Sequence, residues 1–244
     1  MHDALTRPRV AVVGGGRLGT ALSAALRGAG WEVEGPLGRG VDPRADLVLL
    51  CVPDSQIALA AAAIAPRDGL LVGHCSGATT LGVLAPHEAL GLHPLMTVPA
   101  SGGTVFDGAT AAVAGTTARA LGAAGALARS LGMSPVEVDD DARPAYHAAA
   151  SVASNFLLAL EDLAERLASS AGVPRERLVP MVRATIDNWA EHGAARVLTG
   201  PVARGDRATV ARQRAAVERV SPEDLDLFDA MVAATGRLAE RGAE

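Results

Sequence analysis

The segment Arg9-Val10-Ala11-Val12-Val13-Gly14-Gly15-Gly16-Arg17-Leu18-Gly19 constrains the fold more than any other. A short apolar strand runs directly into Gly14-x-Gly16-x-x-Gly19, and an Ala- and Leu-rich helical stretch follows from Thr20 to Gly28. Glycine is common in this chain, so the pattern gains its weight from the strand before it and the helix after it. Gly14 allows a tight turn, and Gly16 lets the backbone approach a ligand where a Cβ would intrude. Gly19 lets the helix pack closely against the strand. Free N–H groups and the helix dipole then face the oxygens of a dinucleotide pyrophosphate. Gly14, Gly16, Arg17, Leu18 and Gly19 are therefore the expected cofactor-binding residues, with Val52 and Pro53 at the end of a later strand. The alternative is a tight turn with no ligand.

Strand-like and helix-like pieces alternate over the first half. Strands are expected at Arg9–Val13, Trp31–Leu37, Asp46–Val52, Leu70–His74, Ala89–Leu92, Thr110–Ala114 and Pro135–Val138. Helical stretches between them include Thr20–Arg27, Ser55–Ile64, Thr79–Leu84 and Thr117–Leu131. Alternation of this kind predicts a doubly wound parallel sheet, a Rossmann-type α/β domain. Residues 100–108 hold several Gly and read as a mobile loop.

The pattern changes at Asp139-Asp140-Asp141, which precede Arg143 and Pro144 and suit a helix start. No strand is expected beyond this point. Helices are expected at Arg143–Ser170, Pro180–Leu198, Thr209–Val220 and Pro222–Arg241, the last begun by a Ser221 cap. The chain thus divides into a dinucleotide-binding domain at 1–138 and an all-α substrate and dimerisation domain at 139–244.

Composition removes several function classes. The net charge is −5 and only six residues are aromatic, so neither nucleic acid nor an anionic membrane is an expected partner. No apolar run reaches membrane-spanning length, and the N-terminus lacks the pattern of a signal peptide. A cytoplasmic location is expected, with Cys51 and Cys75 as buried free thiols. No metal-ligand spacing is present. All 22 basic residues are Arg. The P-loop, Schiff-base catalysis and a lysine acid are therefore excluded.

The end of the second strand selects the nicotinamide cofactor. NAD-preferring proteins of this architecture place an acid there for the ribose 2′-OH. This chain has Gly38 followed by Arg39, and a guanidinium suits a 2′-phosphate. NADP(H) is expected, with Arg39 reading the phosphate. Glu34 is the rival, as an NAD-type acid, if the strand stops about three residues sooner at Gly35-Pro36.

His147, Ser151 and Asn155 are spaced i, i+4, i+8. On a regular helix they drift by about 80° and share one face. Val152, Phe156, Ala159 and Leu163 lie on the other side and suit burial. His147 is the candidate proton donor or hydrogen-bond donor, while Ser151 and Asn155 hold substrate oxygens. The helix dipole disfavours an imidazolium at 147, and the three aspartates oppose that effect. The polar groups are otherwise structural. In Thr199-Gly200-Pro201-Val202-Ala203-Arg204-Gly205-Asp206, Thr199 and Arg204 are candidate substrate contacts, Arg204 for a carboxylate, and Asp206 caps the next helix or orients Arg204. Arg212, Arg214 and Arg219 read as an exposed face. Ser76 and His93 each follow or end a strand, where ligands of open α/β sheets sit. His74 and His93 each suit a buried, hydrogen-bonded structural role equally.

Together, Gly14–Gly19, His74-Cys75-Ser76-Gly77, Leu92-His93-Pro94-Leu95, Tyr146-His147-Ala148-Ala149-Ala150 with Ser154-Asn155, and Thr199–Asp206 resemble a known family. It is the group of Rossmann-like oxidoreductases whose C-terminal helical part is catalogued as a domain of unknown function. The group lies within the wider 6-phosphogluconate dehydrogenase-like set. The resemblance runs from about Arg9 to about Val220. It implies an NADP-linked reductase, a homodimer through the helical domain, related to ketopantoate, pyrroline-5-carboxylate and deazaflavin-dependent reductases. Ketopantoate reductases use Lys-x-x-x-Asn-x-x-x-Asn on the matching helix. His147, Ser151 and Asn155 stand there in this chain, so His147 replaces the lysine. The expected reaction is hydride transfer from NADPH to a small 2-oxo acid in the interdomain cleft, with ketopantoate as the first candidate. An NADP-dependent imine reductase and a non-catalytic NADP(H)-binding regulatory protein are the alternatives.

Overall fold

A computed structural model describes residues 8–99 and 106–242. Most of the Gly-rich stretch expected as a mobile loop lies outside them. The chain divides into two compact units, Met1–Ser154 and Asn155–Glu244.

The first unit is built on seven strands: β1 (Val10–Val13), β2 (Val33–Leu37), β3 (Leu47–Leu50), β4 (Leu71–His74), β5 (Glu88–Leu95), β6 (Thr110–Gly115) and β7 (Ser134–Glu137). Its helices are α1 (Arg17–Gly28), α2 (Ile57–Ala62), α3 (Ala118–Ser130) and α4 (Arg143–Ser151). The strand order is β2-β1-β3-β4-β5-β6-β7. Strands β1 to β5 are parallel, which fits their apolar runs, since such strands are covered on both faces. Alternate residues feed two cores. Val10, Val12, Leu47, Leu49, Leu90 and Leu92 pack with Leu22 and Leu26 of α1 and Leu127 of α3. Ala11, Val13, Val48 and Leu50 pack with Ile57 and Ala60 of α2 and with Leu84.

Two features depart from an all-parallel reading. β6 pairs antiparallel with β5, and β7 is parallel to β6. Parallel neighbours need a crossover, usually a helix. The sequence between Leu95 and Thr110 includes the Gly-rich stretch expected as a loop, whereas α3 joins β6 to β7. The helix expected at Thr79–Leu84 is a short 3₁₀ turn at Leu81–Leu84.

The units separate between Ser154 and Asn155 rather than at 138/139 because α4 belongs with the sheet. Arg143, at its start, is 2 % exposed. Its Nε donates to Asp140 Oδ1 at 2.7 Å and its Nη1 to the Ser76 carbonyl at 3.3 Å. Asp140 Oδ2 also accepts the Leu81 N–H at 3.1 Å. Asp140, from the acidic triplet expected to cap the helix, therefore pins it to the loop after β4.

Residues Val152–Phe156 form a π-helical turn. The regular-helix spacing used for His147 and Ser151 does not extend through this turn to Asn155.

The second unit contains α5 (Leu157–Ser170), α6 (Val179–His192), α7 (Ala194–Val197), α8 (Arg207–Val220) and α9 (Leu225–Gly242), and no strand among its described residues. Arg166 of α5 reaches Glu223 at 2.8 Å and Asp224 at 2.7 Å, and also bonds Ser221, so the expected Ser221 cap serves as part of this cluster. Arg214 of α8 makes a bidentate pair with Asp229 of α9. Only Leu163, Val217 and Ser221 are buried among the described residues of this unit. Phe156, expected inside, is 58 % exposed, as is Val152 just before the boundary.

The glycine turn makes the fold testable. A Cβ on Gly19 would stand 1.9 Å from the Gly14 carbonyl oxygen, whereas one on Gly16 meets nothing within 4 Å. Gly19→Ala is expected to destabilise the protein by about 2–4 kcal/mol in urea unfolding, because backbone must move. Gly16→Ala is expected to stay within about 1 kcal/mol of the parent.

Candidate functional site

A groove of about 300 Å³ opens at the carboxyl ends of β1, β2 and β3. Its lining is Gly14, Gly15, Gly16, Leu37, Gly38, Arg39, Cys51, Val52 and Pro53, so five of the expected cofactor residues lie in it. Gly14 has φ +116°, a region favoured by glycine, and a Cβ there would meet the Cys51 carbonyl at 2.2 Å. The first backbone bond of α1 runs from Thr20 N–H to the Gly16 carbonyl at 3.0 Å. The amides of Arg17, Leu18 and Gly19 precede it and have no partner within the helix. No side chain caps this end. Together with the open space beside Gly16, that donor set fits a dinucleotide pyrophosphate.

The other expected cofactor residues flank the groove. Leu18 packs against the core and Gly19 is buried under the turn. Arg17 Nη1 donates to the Val98 carbonyl at 3.2 Å. β2 continues to Leu37, so it does not stop early at Gly35-Pro36. Arg39, not Glu34, is thus the charged residue lining the groove. Its Nη1 donates to Gln56 Oε1 at 3.0 Å.

Cys51 and Cys75 follow β3 and β4 with sulfurs 3.6 Å apart and unbonded. The contact with Cys75, and then burial, push the Cys51 thiol well above its ordinary pKa. Cys75 is buried as expected, while Cys51 is half-buried at the groove wall.

A second cluster forms at the same edge of the sheet, beyond β4 and β5. His93 Nδ1 lies 2.7 Å from the Tyr146 hydroxyl of α4, with the rings edge to face. The His93 ring lies across Gly77, where a Cβ would come within 2.8 Å of Cε1. His147 stands beside the pair, its ring centroid 6.5 Å from that of His93, and is exposed. Burial first, then the nearby His147 and Arg143, lower the His93 pKa to about 4. Burial also raises the Tyr146 pKa, against a lowering pull from Arg143. Both groups are therefore neutral at pH 7.

Ser76 is brought to this edge, but its hydroxyl is already engaged. It donates to Asp54 Oδ2 at 2.8 Å and accepts the N–H groups of Ala78 and Thr79 at 3.2 and 2.9 Å. His74 is fully buried, and its Nδ1 accepts the Ser76 N–H at 3.2 Å. Burial, and then Arg143, lower its pKa, so it is a neutral structural histidine. Ser151 is half-buried on α4.

Asn155, Thr199 and Arg204 belong to the second unit, and all three are exposed. Thr199 and Arg204 flank a turn in which Gly200 and Gly205 take φ of +101° and +70°. Asp206 caps α8 by accepting the Thr209 N–H at 3.0 Å. That bond holds its carboxyl below the usual range. Arg212, Arg214 and Arg219 are exposed.

Sequence reasoning missed two residues of the cluster. Tyr146 is the single tyrosine of the chain, and that singularity is its one signal in the sequence. Arg143 was read as a helix start, and arginine is rarely buried, so nothing local marked it.

Comparison with known proteins fits this architecture. A family model described as a Rossmann-like domain matches residues 37–99. No curated protein matches the sequence. A Bacteroides fragilis protein provisionally named an NADP oxidoreductase superposes with a TM-score of 0.82 at 19% identity, covering 94% of this chain and 98% of that one. A reductive aminase from Aspergillus terreus, solved in complex with NADPH and ethyl-5-oxohexanoate, gives 0.69 at 17% identity over 95% and 94%. An imine reductase from Streptomyces aurantiacus gives 0.65 at 18% over 97% and 96%. At these identities the likeness is one of fold. A second family model covers residues 109–235, more than half of the sequence, and the chain belongs to that family, described as Domain of unknown function (DUF2520).

Proposed function

We propose that the chain is an NADP(H)-dependent reductase acting on a small organic substrate, and that the reducible bond is C=N. The observation that carries the cofactor reading is the groove itself. Its lining runs through Gly14 to Gly16 into the uncapped start of α1, and Arg39 is the one charged residue among those lining it. Bound there, the dinucleotide would be held by Gly14, Gly16 and the amides of residues 17–19, with Arg39 at its 2′-phosphate and Val52 and Pro53 along the wall. NADPH supplies the hydride.

The substrate reading rests on the fold neighbours, and the charge state of the His93 cluster accommodates it. A carbonyl must gain a proton as it is reduced. The chain has no lysine and His93 is neutral at pH 7, which leaves the protonated Tyr146 hydroxyl as the donor of that pair. A protonated iminium already carries its proton, so hydride addition at carbon completes the amine. A neutral imidazole adds no positive charge beside it, and the Tyr146 oxygen keeps a lone pair to accept its N–H. The fold neighbours named for reductive amination and imine reduction favour C=N over the 2-oxo acid, ketopantoate, expected first from the sequence. His147, Ser151 and Asn155 remain the candidates for orienting the substrate, and Thr199 and Arg204 for anchoring a polar end of it.

The helical unit is proposed to pair with a second copy. Phe156, Leu158, Met181 and Trp189 are each more than half exposed in it. So much large apolar surface on a unit with so few buried residues is ordinarily covered by a partner. No helix among the described residues is long and apolar enough to cross a membrane. The two unbonded thiols fit a reducing cytoplasm.

Three measurements check this reading. In an NADPH absorbance assay, cyclic imines are expected to turn over ~10-fold or more faster than ketopantoate and other 2-oxo acids, with His147→Ala costing less than ~3-fold in kcat/KM. Faster ketopantoate reduction that collapses in His147→Ala contradicts it, and NADPH binding without any oxidation favours a regulatory protein. Next, His93 stays neutral in the folded state until about pH 4, while the unfolded chain protonates near 6.5. Stability is therefore full above pH 6.5 and lost as pH falls towards 4, by up to ~3 kcal/mol. His93→Asn is expected to flatten that loss in urea titrations, and an unchanged slope contradicts it. Finally, light scattering at micromolar concentration is expected to give a dimer mass, and a monomer mass contradicts the pairing.

A further inference from the structure

The geometry points to Gln56 as a positioning residue that sets the preference for a 2′-phosphate by holding Arg39 at the rim of the groove. This inference rests on the NADP(H) reading. Arg39 and Gln56 belong to different segments, one after β2 and the other after β3. They meet through the 3.0 Å bond from Arg39 Nη1 to Gln56 Oε1.

Gln56 is well placed for this task. Its N–H donates to the Pro53 carbonyl at 2.8 Å, and Pro53 lines the groove. The next residue, Ile57, is buried in the core. Its side-chain amide is oriented as well, with Nε2 towards the Ser55 carbonyl at 3.5 Å and Oε1 towards Arg39. Arg39 follows Gly38 and is exposed, so without this contact its long side chain samples many rotamers. One bond through Nη1 leaves the remaining guanidinium donors for a phosphate.

The chemistry of the partner matters. A carboxylate at position 56 would hold Arg39 equally well but would neutralise it and repel the phosphate. The amide accepts a hydrogen bond and leaves the positive charge whole. Gln56 thus contributes order without competing for charge. It acts through Arg39 and needs no contact with the nucleotide.

Isothermal titration of the full-length chain with adenosine 2′,5′-bisphosphate and with 5′-AMP tests this without any turnover. The parent is expected to favour the bisphosphate. Gln56→Ala is expected to weaken the bisphosphate ~3–10-fold, the worth of one net hydrogen bond, and to leave 5′-AMP unchanged. Gln56→Glu, nearly the same shape, is expected to weaken the bisphosphate further, again sparing 5′-AMP. If both variants keep the parental ratio while Arg39→Ala lowers it, the role of Gln56 is overturned and the NADP(H) reading stands. If Arg39→Ala also keeps the ratio, both are overturned.

Discussion

Helix α1 approaches the end of β1 so closely that a single methyl group at Gly19 would collide with the Gly14 carbonyl. That approach sets the start of α1, whose first three amides have no partner within the helix, next to a groove walled by the ends of three parallel strands. A helix displaced by the width of a methyl would carry those donors away from any ligand seated beside Gly16. The close packing of Gly14 on the Cys51 carbonyl fixes the other side of the same turn. The two glycines that contact protein and the one that faces open space thus have different duties, steric in the first case and ligand clearance in the second.

A buried charge organises the neighbouring cluster. Arg143 joins the Ser76 loop to the acidic turn before α4, and so brings Tyr146 and His147 to the carboxyl edge of the sheet. Burial of such a guanidinium is tolerable because Asp140 meets it. Its field also helps keep His74 and His93 unprotonated. Burial is the larger cause of neutrality at both rings, and Arg143 adds to it at His93 while opposing it at Tyr146.

Much of this was legible in the sequence. All seven strands were foreseen, because parallel strands buried on both faces read as short apolar runs such as Leu47-Val48-Leu49-Leu50. The glycine turn and Arg39 were readable because each is tied to the end of a strand, and strand ends are where such sheets bind ligands. The reversal at β6 was readable in principle from the Gly-containing sequence before it, which offers no helical pattern for a crossover. Other features have no local signal. The burial of Arg143 depends on the Ser76 carbonyl that it bonds and on Gly91, where a Cβ would stand 2.8 Å from its Nη2, both far away in sequence. The π turn at Val152–Phe156 breaks the regular phase that spacing arguments assume. Tyr146 was overshadowed by His147 because imidazole is the more familiar proton donor, although the hydroxyl is the group that meets His93.

A crystal structure of the chain with NADP⁺ bound tests the central claim most directly. The account predicts pyrophosphate oxygens on the amides of residues 17–19 beside Gly16, with the 2′-phosphate on the Arg39 guanidinium. A nucleotide seated elsewhere, or one whose adenosine ribose turns to Glu34 and away from Arg39, would contradict it.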